Sequence, residues 1–314
     1  MSSFWKDKKV LVTGAYGFLG THLCAKLETL GVNLETHKSD QFDLRNYNHV
    51  IDLFNCYDDI DIIFNLAANV GGIGYNQAHP YSLYFDNATI NLNVIDQAIK
   101  NGVKKFVQLG TVCAYPKFTP VPFDERTLWD GYPEETNAPY GLAKRNSLVQ
   151  LQAARKEFGF NGIYILPTNL YGPHDHFEPE RSHVIPALIK KFIDAKEQGL
   201  PEVEIWGNGN ASRDFLYVED AVEGLVMAAE KYDNFEPVNL GSGHEIRIGV
   251  IAQIIKELCG YEGKLVYNSS KPDGQPRRQL RVWKAREFGW FPIVSLKDGL
   301  RRTIDWYLET RKLY

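Results

Sequence analysis

The sequence predicts an α/β fold: a doubly wound parallel sheet with helices on both faces, followed by a smaller C-terminal α/β lid. Three observations lead there. Short apolar runs at residues 9–13 (KVLVT), 60–66 (IDIIFNL), 106–109 (FVQL) and 162–166 (GIYIL) are separated by helix-length stretches, the alternation of βαβ units. The first run passes directly into Gly14-Ala15-Tyr16-Gly17-Phe18-Leu19-Gly20, three evenly spaced glycines ahead of an amphipathic segment. Beyond residue 168 the pattern loosens into polar loops, shorter strands and separate helices.

Composition narrows the class. With 314 residues, 44% of them hydrophobic, the chain can bury a large core, and its formal net charge of −4 gives no reason to expect a nucleic acid or membrane partner. No apolar run approaches the roughly 20 residues a membrane helix needs, and residues 1–10 lead straight into a strand without a signal peptide. Cys24, Cys56, Cys113 and Cys259 are scattered without metal or redox spacing, so they read as reduced thiols of a cytoplasmic protein, with no metal site. The expected division is a cofactor domain over 1–168, to which 215–242 returns, and a substrate domain from 169–214 and 243–314.

In chain order, the first strand ends at the glycine turn, and a helix is expected over 21–30. Strand, glycine turn and helix together place a dinucleotide pyrophosphate at a helix N-terminus: Gly14 permits the tight turn, Gly17 the approach of phosphate, and Gly20 close helix–strand packing. The second strand, 32–36, ends at His37-Lys38. A basic tip there suits a 2′-phosphate, which favours NADP over NAD. Asp40 and Asp43 open the next loop, within reach of an adenine edge.

The third strand leaves through Ala67-Ala68-Asn69-Val70-Gly71-Gly72-Ile73, small residues that let a flat cofactor lie against the backbone. A helix is expected over 87–100. The fourth strand is followed by Gly110-Thr111-Val112-Cys113-Ala114-Tyr115-Pro116. A further helix starts near Pro139, with Thr136 and Asn137 as caps, and runs through residue 154. Tyr140 and Lys144, four apart, share one face of it. A lysine ammonium beside the phenol lowers its pKa and makes the tyrosine a proton donor near neutral pH. Gly14, Ala67, Thr111, Cys113 and the Tyr140 helix all fall at the carboxyl edge of the sheet, where such folds bind ligands. Later elements are a strand at 162–166, a helix at 184–195 after Ser182-His183, strands at 203–206 and 238–241, a helix from residue 220, and a terminal helix at 296–310.

The glycine turn, the hydroxyl after the fourth strand and the Tyr140/Lys144 pair together resemble the extended short-chain dehydrogenase/reductase family, whose fold is Rossmann-like. Within it the chain resembles the GDP-L-fucose synthases. That likeness rests on Val70-Gly71-Gly72-Ile73, Cys113 with Tyr115-Pro116-Lys117, and Pro167-Thr168-Asn169-Leu170-Tyr171-Gly172-Pro173-His174-Asp175. It continues through Ser182-His183-Val184-Ile185-Pro186-Ala187-Leu188, Arg213 and Lys271-Pro272-Asp273-Gly274, spanning nearly the whole chain.

The resemblance implies a homodimeric, NADPH-dependent enzyme that epimerises a GDP-linked 4-keto-6-deoxyhexose at C3 and C5 and reduces it at C4. By resemblance Cys113 is the base, His183 the acid on the opposite face, and Tyr140 the donor to the carbonyl oxygen. Thr111 then binds that oxygen, and Lys144 holds the nicotinamide ribose. The cofactor would be lined by Tyr16, Phe18, Leu19, Leu66, Ala67 and Ala68, and further along by Pro167, Asn169, Leu170 and His183. Arg213 and Arg277 are diphosphate candidates. Val70, Gly71, Asn169, Trp206 and Asp273 complete the substrate pocket with Val184, Leu188 and Lys191 from the 184–195 helix. Three positions depart from the family pattern: Val112 stands where a second serine precedes the cysteine, Asn69 where lysine is common, and Arg281 where aspartate is usual. They leave open an alternative, a C4 reductase acting on a related GDP-4-keto sugar such as a heptose.

Overall fold

The computed structural model describes residues 3–179, 181–271 and 274–311. β1 (Lys9–Thr13), α1 (Phe18–Thr29), β2 (Asn33–Thr36), α2 (Tyr47–Cys56) and β3 (Ile62–Asn65) form the first half of the sheet. α3 (Ile73–Ala78), α4 (Pro80–Lys100), β4 (Lys105–Leu109), α5 (Ala138–Phe158) and β5 (Gly162–Pro167) form the second. The chain leaves through β6 (Asn169–Tyr171), α6 (Val184–Glu197), β7 (Glu202–Trp206) and β8 (Ser212–Tyr217), then returns by α7 (Val218–Lys231) and β9 (Val238–Leu240). It ends in β10 (Glu245–Arg247), α8 (Ile248–Cys259), β11 (Lys264–Asn268), β12 (Arg277–Arg278), α9 (Trp283–Glu287) and α10 (Leu296–Thr310).

Six strands, all parallel, form one sheet in the order β2-β1-β3-β4-β5-β9. The order reverses between β1 and β3, so a crevice opens there beyond the strand ends. Apart from the edge strand β2, the strands are buried on both faces, which is why most read as continuous apolar runs rather than alternating ones. On one face Val50, Val94, Leu148 and Leu151 pack with Ile63 and Phe106; on the other Leu23, Leu27, Ala221 and Leu225 pack with Val12, Phe64 and Ile165. A third core, with Ile189, Phe192, Ile251 and Leu300, lies apart from that sheet, in the smaller C-terminal part where β6, β8, β10 and β12 pair, the region expected to form the lid and so named below.

The predicted α/β architecture holds, with local differences. The helix expected from residue 87 begins at Pro80. Its first turns expose Tyr81, Tyr84 and Phe85 and so lack the buried stripe that marks an amphipathic helix. Ala285 and Trp290, expected in the lid, are buried in the α1/α7 core of the sheet. Asn137 precedes α5 as a cap in position only, for its side chain donates to Glu134 (2.7 Å) and accepts from Asn76 (2.9 Å). Among the described residues no helix is long and apolar enough to cross a membrane.

Candidate active site

The cofactor cradle is set by backbone proximity. Gly14 has φ +70°, and a Cβ there would sit 2.8 Å from the Ala67 amide nitrogen; one on Gly20 would sit 2.1 Å from the Gly14 carbonyl oxygen. Both glycines are therefore demanded by the protein's own packing. Gly17 is different: its Cβ would meet only the Gly14 oxygen at 3.4 Å, an ordinary contact, and its φ is −81°. What Gly17 keeps clear is space in front of α1, whose first-turn amides have no side-chain cap and no acidic neighbour in that turn. An anion fits such a helix end, and a dinucleotide pyrophosphate fits this cradle. Thr13 braces it: its hydroxyl donates to Asn65 (2.6 Å) and accepts from the Ala67 amide (3.2 Å).

At the tip of β2, the Tyr16 hydroxyl shares a hydrogen bond with Thr36 (3.2 Å), and the Lys38 ammonium lies 5.8 Å from the Tyr16 ring centre. His37 is buried and, among the described residues, its Nε2 has no partner; burial pushes its pKa down, so it stays neutral. Of the two basic residues predicted for a 2′-phosphate, Lys38 alone brings exposed charge. Asp43, predicted near the adenine, has its carboxylate gripped by Arg45, with Nε at 2.9 Å and Nη2 at 2.8 Å.

The candidate catalytic edge follows β4. The Thr111 hydroxyl accepts from the Cys113 amide (3.2 Å), which winds 112–114 into a single tight turn. It also lies near the Tyr140 phenol and acts on its ionisation. Gly141 makes that approach possible, since a Cβ there would lie 2.3 Å from the Cys113 carbonyl oxygen. Thr111, Cys113 and Tyr140 are thus held together by contact of α5 with the Cys113 turn. Lys144 departs from expectation. Its ammonium donates to the Leu109 carbonyl (3.2 Å), and burial brings its pKa down to about 8. Burial and the neighbouring Cys113 raise the phenol's pKa, opposed by Thr111; Lys144 is not among the groups acting on it.

From the other side, the Gly72 amide donates to the Arg181 carbonyl (3.2 Å), and a Gly72 Cβ would lie 2.6 Å from the Ser182 oxygen. The Val70–Gly71 loop therefore abuts the segment that delivers His183 to the start of α6. Val70 is exposed beside it, and the Tyr75 ring covers Gly71. His183 Nδ1 lies 4.0 Å from Asp175 Oδ1. Asp175, which the sequence did not place in the site, is buried, with one oxygen bonded to the His176 amide and Oδ2 without a partner among the described residues. Burial lowers the His183 pKa, but the nearby Asp175 carboxylate outweighs it, and the net shift is upward.

That shift predicts a pH effect. A raised folded pKa means the pairing stabilises the protein fully below pH ~6.5 and fades as pH rises through the raised value. Asp175→Asn keeps the shape and removes the charge. If His183 returns a proton to substrate, the alkaline limb of that step should move to lower pH, read as the pH profile of solvent deuterium uptake by substrate; an unmoved limb would remove Asp175 from the site.

Several predicted substrate residues are placed differently. Arg277 and Arg278 alternate across β12, and it is Arg277 that turns outward, onto Glu245 (Nε–Oε1 2.9 Å), so its guanidinium is already paired. Arg278, not predicted, turns inward, with Nη1 3.6 Å from the Cys113 sulfur. Leu188 is buried in the lid core rather than facing a pocket. Val184 is half-buried against the same core. Asp273 lies outside the described residues. Arg213 is buried and donates to the Ser212 carbonyl (2.8 Å) and the Gln275 carbonyl (2.5 Å). Trp206 is half exposed beneath two ammonium groups, Lys191 at 5.5 Å and Lys271 at 5.4 Å from its ring. Asn169 donates to the Asp214 carbonyl (2.8 Å), and Leu170 packs under the sheet, as does Leu66. Pro167 closes β5, and Ala68 is half-buried beyond β3.

The fold and this edge define a Rossmann-type enzyme with a tyrosine and a hydroxyl residue set beside the Cys113 turn and a buried lysine on the same helix as the tyrosine. The model of the NAD dependent epimerase/dehydratase family matches residues 10–241, and the chain belongs to that family. It is 41% identical to GDP-L-fucose synthase 1 of Arabidopsis thaliana, over 97% of this chain and 94% of that one. Among solved structures, a GDP-6-OMe-4-keto-L-xylo-heptose reductase from C. jejuni superposes with TM-score 0.91 at 27% identity, covering 97% of this chain and 98% of the other. A GDP-L-fucose synthetase from Naegleria fowleri bound to NADP superposes with TM-score 0.89 at 28% identity, covering 98% and 96%.

Proposed function

We propose that this chain is an NADPH-dependent GDP-L-fucose synthase: it inverts C3 and C5 of a GDP-4-keto-6-deoxyhexose and reduces C4. The observation that carries the reading is the Cys113 sulfur held beside Thr111 and Tyr140 at the strand edge, with His183 delivered from the lid. The 4-keto group acidifies the hydrogens on its two neighbouring carbons. Cys113 takes such a proton, the electron pair moves onto the carbonyl oxygen as an enolate, and His183 returns a proton to the carbon from the opposite face. Repetition at the second carbon completes the inversion. NADPH supplies hydride to C4 when bound, and Tyr140 gives its phenolic proton to the C4 oxygen, which Thr111 holds by a hydrogen bond. Lys144 would bind the nicotinamide ribose, and Lys38 with the Gly17 cradle would bind the phosphates. Trp206 with Lys191 and Lys271 offers a flat face and positive charge to the nucleotide.

A second reading, C4 reduction alone on a GDP-4-keto heptose, is favoured by the likeness to the heptose reductase. The sequence departures no longer support it. Val112 is buried in the sheet core. The Asn69 side chain is held by Asp86 (2.9 Å) and Tyr75 (3.0 Å), and Arg281 pairs with Asp124 (3.0 Å). All three have partners within the protein that account for them. Turnover of GDP-4-keto-6-deoxymannose with NADPH in deuterated water decides between the readings. Deuterium at C3 and C5 of the product is expected; reduced product without it would leave a reductase, and no NADPH consumption would refute the hexose substrate.

A homodimer in the cytoplasm is part of the proposal. Exposed Phe85, Leu92 and Val149 on α4 and α5 support the dimer, and four free cysteines suit a reducing compartment.

A further inference from the structure

Arg278 is 6% exposed, and among the described residues no carboxylate pairs with it. Its neighbours in the chain differ: Arg277 has Glu245, and Arg281 has Asp124. Arg278 instead donates from Nε to Gln275 Oε1 (3.2 Å) and from Nη1 to the Cys113 sulfur (3.6 Å). It cannot easily swing away. Gln275 is buried and tied to the Lys117 carbonyl (2.9 Å), while Arg278 pairs in register with Arg213 of β8. The next residues are clamped on both sides, by the Phe123 amide onto the Gln279 carbonyl (2.7 Å) and the Leu280 amide onto Asp214 Oδ2 (3.3 Å). A buried cation without a counter-charge is costly, and negative charge on the nearest acceptor offsets that cost. Here the nearest acceptor able to carry it is the sulfur. Among the described residues, Arg278 from β12 and the Tyr140 phenol from α5 are titratable groups shown beside that sulfur.

We propose that Arg278 is a positioning residue for proton abstraction: its guanidinium fixes the Cys113 sulfur and supplies the positive charge against which that sulfur gives up its proton. The base is then assembled from both parts of the molecule, the sulfur from the sheet edge and the charge from the lid. This deepens the epimerase reading above and rests on it for its consequence in turnover, though not for the coupling itself.

The test uses the full-length protein and two variants, Arg278→Gln and Arg278→Lys. Alkylation of Cys113 by iodoacetamide in the free enzyme, followed by peptide mass spectrometry between pH 6 and 9, reads the sulfur directly and needs no substrate. A charge-assisted hydrogen bond of this kind should make Arg278→Gln about tenfold slower to alkylate at pH 7. Arg278→Lys, which keeps the charge, should recover most of the rate and covers the case in which the glutamine variant fails to fold. In turnover, deuterium uptake at C3 and C5 should fall with alkylation while the KM for NADPH stays put. Alkylation of Arg278→Gln at the wild-type rate overturns the proposal, and a raised substrate KM in its place would assign Arg278 to the diphosphate. If alkylation slows but the wild type never incorporates deuterium, the coupling stands and the epimerase reading falls.

Discussion

Tyr140→Phe stops reduction at C4 and leaves solvent hydrogen exchange at C3 and C5 running. The phenol is buried beside Thr111, so the substitution removes one oxygen and leaves the ring to fill the same volume. What goes is the proton for the C4 oxygen. Loss of a positioned acid costs about 10²- to 10⁴-fold in rate, and the phenol is the group of the right type at this point of the edge. Its raised pKa keeps it protonated throughout the physiological range, as a donor must be. Cys113 and His183 are untouched, so deuterium should still enter the unreduced keto sugar. The measurement pairs NADPH oxidation with mass analysis of recovered substrate. Reduction at the wild-type rate would take Tyr140 out of the mechanism, and loss of both activities would show that the phenol also orders the base.

How far the sequence anticipates this site differs by residue, for physical reasons. The glycine turn, Thr111, Cys113, Tyr140 and Lys144 were legible because each follows a strand or opens a helix, and strand ends of a parallel sheet converge on one edge. The lid residues were less so. Arg277 and Arg278 are adjacent, and nothing short of the register of β12 against β8 shows which one faces the sulfur. Leu188 sits in a stretch resembling a known pocket, yet helical periodicity puts it with Ile185, Ile189 and Phe192 in the lid core. Asp175 reaches His183 across a loop, which no local pattern reports. His37 and Lys144 show the same limit for charge: their residue types promise cations, but burial lowers both pKa values. Asp214 is the converse. It accepts from Ser242, Gly243 and Leu280 and joins the lid to the sheet edge, with burial pushing its carboxyl up to about 6.

Gly141→Ala carries the other large effect, and it acts by geometry alone. In α5 a glycine-to-alanine change ordinarily stabilises, because alanine is the better helix former by about 1 kcal/mol. Here the added methyl would lie 2.3 Å from the Cys113 carbonyl oxygen and 2.9 Å from its carbon, both backbone atoms. Something must shift. The far side of the contact is the turn made by Thr111 and Cys113, and the near side is the helix bearing Tyr140 and Lys144, one residue before and three after. Overpacking of this kind costs about 1–3 kcal/mol, a Tm loss of several degrees for a chain this long. The catalytic cost is larger, because a displacement near 1 Å between reacting groups can lower rates by about 10². Both partial reactions should therefore fall together, in contrast to Tyr140→Phe, which separates them. Fluorescence titration should still show NADPH binding, since the Gly14–Gly20 cradle lies on another strand. If Gly141→Ala keeps full exchange and reduction, α5 does not hold the Cys113 turn in place, and the site owes its geometry to contacts elsewhere.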